Sequence, residues 1–262
     1  MKIEQAKQIA GKAIEELSHA LEAGHSEKLR EYLGAMARFH RYSLHNIMLI
    51  ATQRPEATRV AGFNTWKGLG RFVKKGAKGI MILAPVPYPK KSEQREESEK
   101  KENPIRFRAV YVFDMADTEG KAIPQLGNTE GDPAERTERL KEFVSGKGLQ
   151  LEYSDAIHPA LGQCSPGKIV ILPGQSSAEE FATLVHETAH AVLHLGEQSA
   201  RTSKTVRETE AEAVAFVVAE SIGLSARSSV DYIQLYDGNK ETLAASLERI
   251  QQTSAEILAV VA

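Results

Sequence analysis

Apolar residues recur at helical spacing through the first third of the chain. Ile9, Ala13, Leu17 and Leu21 mark one helix, and Leu29, Leu33 and Met36 mark a second. A third, short helix is predicted over residues 44–51, ended by Arg54-Pro55. The texture then changes. Residues 58–60 read as a short strand, 65–70 as a short helix or turn closed by glycine, and 79–85 as a strand stopped by Pro85. The run KKSEQREESEKKENP, residues 90–104, is mixed in charge and lacks apolar side chains, so an exposed hairpin tip or disordered loop is expected there. IRFRAVYVFD, residues 105–114, alternates and then turns apolar, as a returning strand would.

Residues 117–133 are rich in Gly, Pro, Thr and Asn, which places a domain boundary there and gives units of 1–120 and 130–262. Beyond it a helix is predicted over 134–144, with strands at 149–153 and 168–172. Ser177-Ala178-Glu179-Glu180 reads as a capping box opening a helix that stops at Gly196. Further helices are predicted over 203–222, stopped by Gly223, and over 240–260. There is no internal repeat and no Gly-rich phosphate-binding motif. The pattern as a whole is α+β.

Composition narrows the possibilities. No apolar run approaches the roughly 20 residues of a membrane helix, and the amphipathic N-terminus lacks the apolar core and cleavage site of a signal peptide. A cytoplasmic protein with no membrane partner is expected. The single cysteine, Cys164, excludes an internal disulfide and a thiolate zinc cluster, and no base adjoins it in LGQCSPG. The formal net charge of −2 hides an asymmetry: residues 1–90 hold 15 Lys/Arg against 7 Asp/Glu, and the remainder 18 against 28. A basic first unit suits a polyanion.

The chemistry concentrates at His186-Glu187-Thr188-Ala189-His190, an H-E-x-x-H sequence. Residues four apart lie one above the other on a helix, so both imidazoles reach one ion. Glu187 is offset around the helix, where it serves as a general base rather than a ligand. The predicted strand over 168–172, taken as an edge strand, is suited to pairing with an extended peptide. The next helix carries Glu208, Glu210 and Glu212 in RETEAEAVAFVVAE. Glu208 and Glu212 share a face; one completes the ligand set and the other orients a histidine, and spacing does not decide which. Glu210 is expected to be solvated; His194, another i+4 step along, is read as a helix-surface histidine, with a role supporting the metal ligands as the alternative. Tyr232 and Tyr236 are weaker candidates for stabilising an oxyanion.

In residues 41–85 cations alternate with aromatic rings. Arg41, Arg59, Lys67, Arg71, Lys74, Lys75 and Lys78 are candidate phosphate contacts, Tyr42 and Trp66 candidate stacking rings, and Asn46 a candidate base contact. Phe63 and Phe72 lie in the same stretch; Trp66 and Phe72 read equally well as core of a small domain, and Asn46 and Gln53 each read either as a base contact or as a helix-to-turn hydrogen bond.

YSLHNIMLIATQRP, VAGFNTWKGLGRFVKKGAKGIMILAP and VYVFDMADTEG together resemble the N-terminal single-stranded-DNA-binding domain of ArdC-like antirestriction proteins. HETAHAVLH followed by ETEAEAVAF resembles the zincin domain shared by those proteins and the ImmA/IrrE metallopeptidases. The resemblance implies a small helical/β DNA-binding domain followed by a zincin-like metallopeptidase domain. It implies Zn²⁺ held by His186, His190 and Glu208, with Glu187 catalytic and Glu212 outside the ligand set. It implies single-stranded DNA and a protein or peptide substrate as partners, and a role in antirestriction or mobile-element biology. The alternatives are a non-catalytic DNA-binding antirestriction protein with a structural zinc, and a regulatory peptidase acting on a repressor.

Overall fold

The computed structural model describes residues 2–86, 106–122, 133–195, 203–224 and 240–262. The charged run at 90–104, most of the boundary segment, Tyr232 and Tyr236 lie outside the described residues. Two compact units emerge: Met1–Lys12 with Leu49–Ala122, and Ala13–Met48 with Ile123–Ala262. The sequence places residues 13–48 with the N-terminal domain. In the fold they join the second unit, because α2 (Glu27–Arg38) packs against α7 (Lys204–Ser221). The buried face of α2 includes Leu29, Tyr32, Leu33 and Met36.

The first unit is built on an antiparallel sheet of order β1-β4-β3, formed by Val60–Gly62, Phe107–Asp114 and Ile80–Pro85. A helical turn, α4 (Phe63–Gly68), follows β1, and a small ribbon joins β2 (Arg71–Val73) to β5 (Thr118–Gly120). The ribbon strands have three residues each, too few to show an alternating pattern. Asp114, 2% exposed, ties the sheet end together: its carboxylate accepts from the backbone N–H groups of Thr58, Arg59 and Ala116 at 2.8, 3.1 and 2.9 Å. Gln53, at the end of α3 (Leu44–Gln53), donates to the Met81 carbonyl at 2.8 Å and accepts from the Met81 N–H at 3.0 Å. Those bonds use the amide that the sequence left open as a base contact.

The second unit combines helices with a mixed sheet of order β6-β8-β7, formed by Gln150–Tyr153, Lys168–Ile171 and Gly162–Ser165. β8 runs parallel to β6 and antiparallel to β7. The strand expected at an edge is therefore central, in keeping with the burial of Ile169, Val170 and Ile171. The edges are β6 and β7, and the GQCS sequence of β7 carries no strand signature. α7 is enclosed by α2, α6 (Ser177–His194) and α8 (Lys240–Val261), with α5 (Ala134–Gly146) against α8. Among the described residues no helix is long and apolar enough to cross a membrane.

Candidate metal centre

α6 begins one residue earlier than its sequence suggests. Ser176 is the N-cap, accepting from the Glu179 N–H while the Glu179 carboxylate accepts from the Ser176 N–H. From that start the helix buries Phe181, Leu184, Val185 and Ala189 and turns His186, His190 and His194 to one side at successive i+4 steps. His186 Nε2 and His190 Nε2 lie 3.1 Å apart. Across from them on α7, Glu208 Oε2 stands 3.6 Å from the first and 3.3 Å from the second. A tetrahedral ion with bonds of about 2.0–2.1 Å needs ligand atoms about 3.3 Å apart. The three residues thus form a group that can hold a divalent metal.

Glu212 falls one turn further along α7. Its carboxylate lies 3.4 Å from Nδ1 of His186, on the far side of that ring from the converging atoms. The choice between the two glutamates, open from spacing, is thereby distinguished by geometry. In the metal-free protein burial alone would lower the His186 imidazole, but the bond to Glu212 and the charges of Glu187, Glu212 and Glu208 outweigh it and raise its pKa. Burial and the neighbouring His186 push His190 down to about 4, against the pull of Glu208. The two shifts are opposed, so a proton is held more readily on His186 than on His190.

Glu187 is 7% exposed. Burial, assisted by the Glu208 charge and opposed by His186, raises its pKa, which suits a group that must accept a proton. It lies directly against β7. A Cβ built on Gly162 would come within 2.7 Å of Glu187 Cγ and Oε1 and of Thr183 Cγ2. The absent side chain is what lets the edge strand close on the carboxylate. A cleft of about 690 Å³ opens beside these groups, lined by His186, Glu187, Glu208 and Glu212 and walled by Ala182, Ala215 and Phe216 among others.

Two expectations fail here. Glu210 is not solvated but fully buried. It accepts from Ser246 Oγ at 2.6 Å and from the Arg249 guanidinium, while its other oxygen lies 2.9 Å from His194 Nε2. His194 is not on the surface; it is 8% exposed, with Nδ1 at 3.1 Å from His190 Nδ1. Burial would raise the Glu210 carboxyl, but the hydrogen bonds from His194, Ser246 and Arg249 hold it below its usual range. The signal for this set was the third histidine of HETAHAVLH, one further i+4 step along α6.

The candidate DNA contacts divide between the units. Arg41, Tyr42 and Asn46 belong to the second, and Asn46 is 9% exposed. In the first unit Trp66 is core, 2% exposed, and its indole N–H donates to the Phe113 carbonyl at 2.9 Å. Arg71 is committed to Thr118 and the Lys121 carbonyl. Arg59 is half-buried, whereas Lys67, Lys74, Lys75 and Lys78 are exposed. The exposed rings are ones the sequence ranked lower or passed over: Phe63, Phe72, Phe107 and Tyr111.

The fold and site define a two-unit α+β protein with a candidate divalent-metal centre. Residues 5–113 match the family model for the N-terminal domain of anti-restriction factor ArdC. Over the whole chain the fold is similar to that of antirestriction ArdC from the R388 plasmid. For the Mn(II)-bound crystal structure of that protein the TM-score is 0.55 at 18% identity, covering 97% of this chain and 98% of that one. For the metal-free crystal structure it is 0.50 at 23% identity, covering 83% and 84%. The fold of the chain is ArdC-like, and the family match itself lies within residues 5–113. It is also 24% identical over 301 residues to an uncharacterized protein of Bacillus anthracis, an alignment covering 97% of this chain and 51% of that protein. The chain thus spans about half the length of that curated relative.

Proposed function

We propose that the protein binds single-stranded DNA through its first unit and, as a zinc metallopeptidase of zincin type, hydrolyses a peptide bond in a DNA-bound protein during antirestriction. The observation that carries the catalytic part is the convergence of His186 Nε2, His190 Nε2 and Glu208 Oε2 beside Glu187, a buried carboxylate outside the ligand set. The Mn(II) in R388 ArdC supports a divalent ion. Two imidazoles, one carboxylate and a tetrahedral spacing favour zinc.

A divalent ion in this centre supplies Lewis acidity towards a carbonyl oxygen and makes water easier to deprotonate. The chain's own residues do the rest. Glu187 receives the proton and returns it to the leaving amine. Glu212 holds the His186 ring from behind. β7 pairs only with β8 among the described residues, so its outer edge can take an extended substrate as an added strand. Ala182, Ala215 and Phe216 offer an apolar wall for a side chain next to the scissile bond. In the first unit the exposed rings of Phe63 and Phe72, with Lys67, Lys74, Lys75 and Lys78, supply the stacking faces and cations that single strands use.

Glu187→Gln tests the reading. Zinc and oligonucleotide affinities should match the wild type, while cleavage of co-purified or phage-derived DNA-binding proteins falls at least 1000-fold, within the range general-base catalysis spans. Antirestriction that survives the substitution unchanged in cells would exclude the peptidase and leave the non-catalytic DNA-binding alternative.

A further inference from the structure

We propose that His194, Glu210 and Arg249 are positioning residues that fix the tautomer of His190, so that its Nε2 lone pair is presented to the metal. The inference rests on reading the centre as a divalent-metal site, and it adds a second supporting chain on the side away from Glu212.

The argument is one of donors and acceptors. His190 Nδ1 and His194 Nδ1 are 3.1 Å apart, so one of the two carries the hydrogen and the other accepts it. If His194 donated, a neutral His190 would keep its proton on Nε2, where the ion must bind. If His190 donates, Nε2 is bare. Glu210 decides between the two. Its Oε2 lies 2.9 Å from His194 Nε2 and, as a carboxylate, can only accept, so the His194 proton belongs on Nε2. A neutral His194 with Nε2–H has a free acceptor at Nδ1. Glu210 in turn is kept ionised by Ser246 Oγ at 2.6 Å and the Arg249 guanidinium, both meeting its other oxygen.

The chain then reads without a break. Arg249 and Ser246 donate to Glu210, His194 donates to Glu210, His190 donates to His194, and His190 Nε2 faces Glu208 and His186. The side chains of His194 and Glu210 are 7% and 1% exposed, so water does not compete for these bonds. The groups come from three helices: α6 supplies the two histidines, α7 the glutamate, and α8 the serine and arginine. The ring that binds the ion is thereby locked to the packing of all three. Second partners of this kind are worth about 10–100-fold in metal affinity.

The test uses the full chain and competition with a fluorescent chelator, with Zn²⁺ and Mn²⁺ as probes. His194→Phe keeps the ring volume but offers no acceptor. Both ions should bind it 10–100-fold more weakly. The metal-free protein should also unfold somewhat earlier, because Glu210 forfeits its bond from His194, so affinities are compared at a temperature where both proteins are folded. His194→Gln, whose amide oxygen can accept from His190, should recover part of the loss. Wild-type affinity in the Phe variant overturns the proposal while leaving the metal reading intact. A wild-type chain that binds neither ion overturns the metal reading and this proposal with it. Long-range ¹H–¹⁵N spectra of the wild type give an answer that does not depend on the variants folding. The expected pattern is Nδ1–H on His190 and Nε2–H on His194, and a hydrogen on His194 Nδ1 overturns the assignment.

Discussion

Replacing Gly162 by alanine should damage catalysis without touching the metal. The new Cβ would stand 2.7 Å from Glu187 Cγ and Oε1 and from Thr183 Cγ2. Carbon contacts are comfortable at about 3.5 Å or more, so something must retreat by roughly 0.8 Å. Thr183 is anchored, its hydroxyl donating to Gln175 Oε1 at 2.8 Å, and β7 is held by its ladder to β8. The Glu187 side chain is the mobile partner. Overpacking of this kind costs about 1–3 kcal/mol. In a domain of this size that lowers the melting midpoint by about 2–4 °C for each kcal/mol. Displacing a reacting group by about 1 Å costs about 100-fold in rate, or about 2.7 kcal/mol of barrier. The Cβ meets none of His186, His190 or Glu208 among its nearest atoms, so metal affinity should stay within about threefold of wild type. The assays are peptide cleavage, chelator competition and thermal unfolding, run side by side on both proteins. A variant with the wild-type rate and midpoint would show that β7 does not hold Glu187. A loss of metal affinity as large as the loss of rate would show that the strand acts on the ion instead.

Phe72→Ala and Phe63→Ala should each weaken binding to a single-stranded oligonucleotide by about 1–3 kcal/mol, read by fluorescence anisotropy at fixed salt. Trp66→Phe should act on stability instead, because the indole bond to Phe113 is internal; a larger binding defect from Trp66→Phe than from Phe72→Ala would reverse that assignment. Cys164 should resist alkylation. Burial, with the Glu187 charge behind it, pushes its thiol up to about 11. Only about a thousandth is thiolate at pH 8, against roughly a quarter for an ordinary cysteine. Iodoacetamide should react roughly 200-fold more slowly than with a free thiol, and fast labelling at pH 8 would refute the burial. Glu210 links stability to pH. Its carboxyl lies below the usual range when folded, so its contribution is present above the unfolded value near 4.3 and lost as pH falls through the folded value. Acid unfolding should therefore be steeper in the wild type than in Glu210→Gln, and identical acid profiles would refute this.

Where sequence and structure part, the cause is packing that periodicity does not carry. The two-sided helices were legible, since Leu29, Leu33 and Met36 on α2 lie on the buried face that their spacing indicates. The burial of α7 was not, because α2, α6 and α8 all pack against it, so that its glutamates divide between the core and the cleft. A glutamate there was assigned to solvent by the habit of amphipathic helices, whereas Glu210 faces α8, where Ser246 and Arg249 wait one turn apart. The H-E-x-x-H spacing needed only one helix and was readable from the letters. Glu208 and Glu212 needed the register of α7 against α6, a tertiary quantity, and two glutamates four apart on one face look alike until that register is known. The edge strand was hidden for a third reason. GQCS forms β7 because β8 templates it, and its glycine is required by the carboxylate on the neighbouring helix rather than by the strand. In the second unit the two misread side chains, Glu210 and His194, each bond to a side chain on a neighbouring helix of the metal centre. The parts of the centre that no single segment encodes are therefore the ones that hold its ligands in place, and substitutions there should alter metal affinity and rate by different factors.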